Sequence, residues 1–185
     1  MKNKIIYILC IINVVFLCAC NAGDTDMFSR FYDSDQEIAD ETINNLISAL
    51  QNEDTDKIKK MFSESIVSDS EEFDDILVQL FQYYQGDFIS YNDWGGPGSS
   101  SSIDYFDKKY EIYSTYDVKT SETTYRIAIY EITEDTVTPE NIGIYSLYII
   151  KMEDDIDPQY AYWGDDKWTE GINIGVQNTP PEFVE

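Results

Sequence analysis

The feature that most constrains this fold is a change of hydrophobic period at Gly86. Before it, apolar residues recur every three or four positions, and after it they recur every second one. Ser34-Asp35-Gln36-Glu37 has the form of a capping box, in which the hydroxyl and the carboxylate satisfy each other's orphan amides at a helix start. Ala39, Ile43, Leu46, Ile47 and Leu50 follow on one helical face, which predicts a helix over 35–51. Asp54 can cap a short second helix that buries Ile58, Met61 and Phe62. A third start signal at Ser68-Asp69-Ser70-Glu71 precedes Phe73, Ile76, Leu77, Leu80, Phe81 and Tyr84. The acids Glu71, Glu72, Asp74 and Asp75 crowd the first turn, where the helix dipole favours them. Gly86 then supplies a left-handed stop.

Beyond Gly86, residues 95–102 are so rich in Gly and Ser that they read as a loop. Three Tyr-, Ile-, Val- and Thr-rich runs, 110–119, 123–133 and 142–152, read as strands. Weaker strands are expected at 87–91 and 172–176. In the second run Tyr125, Ile127 and Ile129 alternate with Thr124, Arg126 and Ala128; in the third, Ile142, Ile144, Tyr148, Ile150 and Met152 share one parity. The short links at 120–122 and 135–141 predict antiparallel hairpins. Helices first and hairpins afterwards predict an α+β domain, its N-terminal helices packed on one face of a curved antiparallel sheet.

Ahead of this domain stands an address. Lys2 and Lys4 precede an apolar stretch over 5–17, too short to span a bilayer but the length of a signal-peptide core. The closing tetrad Leu17-Cys18-Ala19-Cys20 resembles the bacterial lipoprotein processing box, in which the last cysteine becomes the acylated N-terminus. The expected organisation is a signal peptide over 1–19, lipidated Cys20 with a flexible tether over 20–34, and one domain over 35–185. Two or more acyl chains anchor stably where one does not. The expected location is therefore the outer face of the bacterial cytoplasmic membrane, an extracellular attachment through the lipid on Cys20.

The chain carries 36 acids against 12 bases, a formal charge of −24. Such a surface repels phosphate backbones, which excludes a nucleic-acid partner, and it repels anionic headgroups. All three cysteines, Cys10, Cys18 and Cys20, precede the domain, so no disulfide supports it. The chain has no histidine, which removes the usual neutral-pH base and every Ser-His or Cys-His arrangement. Without His or domain Cys no ordinary zinc site can form, and no cofactor or metal site is expected. The many adjacent carboxylate pairs are about as numerous as 36 acids give by chance, and none has calcium-loop spacing. Glu153-Asp154-Asp155 with Asp157 offers only a weak calcium clasp.

Ala49-Leu50, Asp54, Ile58, Met61-Phe62-Ser63, Tyr83-Tyr84, Gly86, Trp168 and Gly171-Ile172 together resemble a family of bacterial lipoproteins of unknown function. That family is similar to the NTF2-like (cystatin-like) superfamily, and the resemblance covers about residues 35–178. It implies a cone-shaped domain and carries over no catalytic residue.

The aromatics offer a site. All three tryptophans lie in the second half: Trp94 beside the glycine run, and Trp163 and Trp168 near the end, with Tyr91 and Tyr160 close by. Such residues either fill a sheet or wall a pocket that stacks on a planar ligand or a sugar ring. The reading is a non-catalytic module that binds a small molecule or a protein, with Trp94, Tyr91, Tyr160, Trp163 and Trp168 as candidate ligand contacts. The alternative is a small enzyme whose base is a carboxylate and whose oxyanion donor is a tyrosine. An isolated buried acid near a Tyr in a pocket would favour the enzyme.

Overall fold

The computed structural model describes residues 25–69, 72–104, 107–156, 165 and 167–177. The chain divides into two compact units, Met1–Ser34 and Asp35–Glu185. Cys20, Tyr160 and Trp163 lie outside the described residues, as does Asp157.

Helix α1 runs over Thr25–Gln51 and so starts well before the capping box at Ser34; residues read as tether from 25 onward are helical. Helix α2 (Thr55–Met61) is capped as expected, the Asp54 carboxylate accepting the Lys57 amide at 2.9 Å. A further short helix, α3 (Glu64–Asp69), takes in the first two residues of the third start signal, Ser68 and Asp69. Ser70 and Glu71 of that signal lie outside the described residues, and the Ser68 hydroxyl donates back to the Glu64 carbonyl. Helix α4 (Phe73–Tyr83) instead begins after Glu72, which makes no side-chain cap bond. Gly86 adopts φ +87° as expected, and a Cβ there would meet Ser121 and Glu122 at 2.8–2.9 Å. No helix among the described residues is long and apolar enough to cross a membrane.

Among the described residues a curved sheet of six strands follows: β1 (Phe88–Asp93), β2 (Gly98–Asp104), β3 (Asp107–Thr120), β4 (Thr124–Asp135), β5 (Gly143–Lys151) and β6 (Gly171–Ile174). Their order is β1-β3-β4-β5-β6, with β2 also on β3. β1 pairs the end of β3 from Tyr116 to Thr120, and β2 pairs its start from Asp107 to Tyr113, so the two share one edge. Register shifts at Phe88/Ser90, Tyr110/Glu111 and Tyr130/Glu131 mark the bulges that bend the sheet.

Three expectations are corrected. The sheet is mixed, because β6 runs parallel to β5 after a long return. The glycine–serine run is partly strand: Gly98 to Ser102 pair residue by residue with β3, whose backbone supplies the order that serine propensity does not. Parity along β5 breaks at Tyr145, the bulged residue. Ile144 therefore faces the helices with Leu147 and Ile149, while Tyr148 and Ile150 face the other way.

The helices cover one sheet face. Ala39, Ile43, Leu46, Ile58, Leu77 and Leu80 pack there against Ile112, Tyr116, Val118, Tyr125, Ile127 and Ile129 in the main core. Burial of this apolar area supplies most of the stability. The opposite face, hereafter the outer face, is not bare. Ala128, Tyr148 and Ile150 are buried there under Trp168 and Val176.

Candidate ligand-binding site

The strand register sorts the candidate residues. Tyr91 faces the helices: its ring meets Tyr116 edge-on at 5.4 Å, and its hydroxyl accepts from Asn44. Trp94 and Trp168 instead come together on the outer face, where both line one open cavity of about 230 Å³. Its other walls are Gly96, Gly98, Ser99, Tyr113 and Thr115, and none of these seven residues is charged. Tyr91 is therefore separated by the sheet from the two tryptophans it was grouped with.

Trp94 is fixed at three points. Its amide continues the ladder beyond β1 by donating to the Thr115 carbonyl at 3.0 Å. Its indole N–H donates to Asp117 at 2.9 Å. Its ring lies under the Arg126 guanidinium, whose Cζ stands 4.1 Å from the ring centre. Arg126 is fully buried; it donates to both Asp117 oxygens at 2.8 and 3.2 Å and to Asp155 at 3.2 Å. Asp155, one of the acids of the weak calcium clasp, thus faces a guanidinium. Among the described residues no cluster of three or more metal-ligating side chains occurs.

Trp168 is fixed differently. Its backbone is left-handed, at φ +52°, a conformation that a bulky residue adopts only when its surroundings impose it. The flanking amides show how: Lys167 N–H donates to Asp165, and Thr169 N–H donates to the Tyr148 hydroxyl at 2.6 Å. The Tyr148 hydroxyl donates in turn to Asp165, also at 2.6 Å. Burial opposes ionisation of Asp165, but the bonds from Thr169, Tyr148 and Lys167 outweigh it and hold the carboxyl at about 2. The strained turn lays the indole across Tyr113, Tyr130 and Tyr148, with ring centres 5.4–5.9 Å away.

The floor is an aromatic pair. Tyr113 and Tyr130 sit opposite each other on β3 and β4 and stack at 4.7 Å and 16°. Both hydroxyls donate to Glu111, at 3.2 and 2.5 Å, and Lys109 pairs with the same carboxylate at 2.5 Å. Burial alone would raise the Glu111 pKa, but Lys109, Ser100 and Tyr130 bring it down to about 2. Burial and the bond to this anion push the Tyr130 phenol up, so it stays a donor.

Gly98 is the residue that leaves the site open. It pairs directly with Tyr113, so a side chain at 98 would stand beside that ring on the outer face. An added Cβ would meet nothing within 4 Å, and the backbone at 98 is not left-handed. Neither packing nor conformation requires glycine there.

Sequence reasoning missed Gly98, Tyr113, Thr115, Asp117 and Arg126. One signal was available, since Arg126 is a lone cation inside the most buried strand. A larger cavity of about 520 Å³ lies where Phe73 and Ile76 of α4 meet Ile172 of β6, rimmed by Glu72 and Glu170. Acidic rims arise by composition in this chain, and that cavity contains none of the candidate aromatics.

The buried acid of the enzyme alternative also has an address. Glu131 is 7 % exposed and faces α1, with Thr42 donating to it at 2.9 Å. Among the described residues its second oxygen has no partner, and burial pushes its pKa up to about 7. It lines none of the cavities of about 520, 230 and 420 Å³.

Residues 45–152 match the family described as a domain of unknown function, DUF5104. The chain belongs to the DUF5104 family. The matched stretch of the DUF5104 domain contains Trp94, Gly98, Tyr113, Thr115 and Arg126, while Trp168 lies beyond it. No curated protein matches the chain.

Proposed function

We propose that this DUF5104 protein is a lipid-anchored, non-catalytic binding domain whose ligand site is the slot between Trp94 and Trp168. The carrying observation is that two tryptophans far apart in sequence flank Tyr113 around an uncharged cavity which Gly98 leaves open. A volume of about 230 Å³ takes one ring, aromatic or sugar, on aromatic walls, with the Thr115 hydroxyl and loop backbone available for hydrogen bonds. The leader, ending in Leu17-Cys18-Ala19-Cys20, supports attachment through Cys20 to the outer face of the cytoplasmic membrane. Helices followed by a curved sheet agree with an NTF2-like cone, the finer reading of the fold.

Glu131 is the observation that favours the enzyme alternative, with this carboxyl as base. The binding reading is preferred because Glu131 bonds to Thr42 under α1 and reaches no described cavity.

Two measurements test the proposal. Cys20→Ala should move the protein out of the membrane fraction, and the wild-type intact mass should begin at an acylated Cys20; an unmodified thiol there defeats the anchor. Trp94→Ala and Trp168→Ala should each weaken a stacked ring by about 1–3 kcal/mol. Loss of stability with unchanged affinity would make both rings packing alone.

A further inference from the structure

The slot opens at the first residue of an unprotected sheet edge. All seven residues of β2, Gly98 to Asp104, are exposed, and among the described residues β2 pairs only with β3. Its register runs without a shift. Natural edges are blunted by lysine, proline, bulges or a covering element. The run Gly-Ser-Ser-Ser-Ser-Ile-Asp has none of the first three, its one charge is the terminal Asp104, and among the described residues nothing covers its exposed side chains. Its outward backbone groups are a template for one more strand. Because strand side chains alternate, a strand added here sends every second side chain to the outer face, where Gly98 leaves room beside Tyr113. Ile103, 71 % exposed, projects from the same edge on the opposite parity and offers the added strand an apolar contact there.

Charge selects the occupant. A second copy of this chain would bring −24 against −24, so self-pairing is opposed, whereas a basic segment is attracted and a neutral one is not repelled. We infer that β2 receives an extended, neutral-to-basic segment of another protein as a seventh strand, with one aromatic side chain of that segment seated between Trp94 and Trp168. This rests on the slot being a ligand site and names its ligand. Main-chain bonds to the edge supply affinity, and the slot supplies specificity.

The test pans a displayed library of random twelve-residue peptides against the full chain in detergent micelles and remakes the recovered sequences synthetically. Recovered peptides should share an aromatic residue, avoid proline beside it, and bind at least tenfold more weakly to Gly98→Val, whose melting temperature is measured alongside. Methylating peptide nitrogens one at a time should weaken binding at every second position only, and the amides of 98–104 should exchange more slowly in the complex. The methylation series is made on the peptide, so it does not depend on any variant folding. Binding indifferent to Gly98→Val, or a methylation profile without the two-residue alternation, overturns the inference. If no peptide is recovered while indole or methyl glucoside still engages the slot, the strand partner is refuted and the slot reading stands. If neither peptide nor free ring engages, both fall.

Discussion

The Arg126 guanidinium lies 4.1 Å above the centre of the Trp94 indole, and Asp117 accepts hydrogen bonds from both side chains. One wall of the slot is thereby tied to a fully buried cation on β4, so the position of Trp94 depends on an ion pair beneath it.

Arg126→Met should lower stability by about 3–5 kcal/mol, because it takes the guanidinium from Asp117 and Asp155. Trp94 emission should shift to the red as the indole loses its stacking partner. Chemical denaturation and fluorescence on one sample check both. A stable Arg126→Met protein with unchanged emission would mean that the pair does not position Trp94.

Glu131 makes stability depend on pH from the alkaline side. Its folded pKa of about 7 exceeds its ordinary 4.5, so ionisation penalises the folded state increasingly as pH rises from 4.5 through 7. Glu131→Gln should therefore be more stable than wild type at pH 8, by roughly 3 kcal/mol at about 1.36 kcal/mol per pH unit. The difference should vanish below about pH 4.5. Melting curves at pH 4, 6 and 8 give the comparison, and a constant difference across them would contradict burial as the cause.

Glu111 acts in the opposite sense. Its folded pKa of about 2 lies below its ordinary 4.5, so its contribution is present above 4.5 and is lost as pH falls towards 2. Glu111→Gln should cost about 1–2 kcal/mol at pH 7, allowing for solvent screening, and nothing near pH 2. Titrating the Tyr113 and Tyr130 ring signals by NMR should show both moving with one carboxylate transition well below pH 4. Movement near 4.5 would show that the carboxylate is not held by Lys109, Ser100 and Tyr130.

Much of the fold was legible because it follows from local rules. The Asp54 cap, the apolar face of α1, the left-handed Gly86 and the alternation of Tyr125, Ile127 and Ile129 need only nearby residues to be read. What was not legible depends on distant partners. β2 is a strand because β3 lies beside it, and the β5 bulge at Tyr145 reverses a parity that looks regular in sequence. The site divides in the same way. Trp94 and Trp168 were visible as large aromatics, but register alone separates them from Tyr91 and joins them to Tyr113. Gly98 looked like loop composition, and only its pairing with Tyr113 gives it a role.

The most direct test of the slot compares wild type with Gly98→Val by saturation-transfer NMR, using indole, phenol and methyl glucoside as single-ring probes. Valine suits an extended strand and meets open space at its Cβ, so the variant should be as stable as wild type or gain up to about 1 kcal/mol. The account predicts that at least one ring takes up saturation from wild type and that this signal disappears in Gly98→Val at an unchanged or higher melting temperature. Equal saturation of wild type and variant, or none from any ring with wild type, would contradict it.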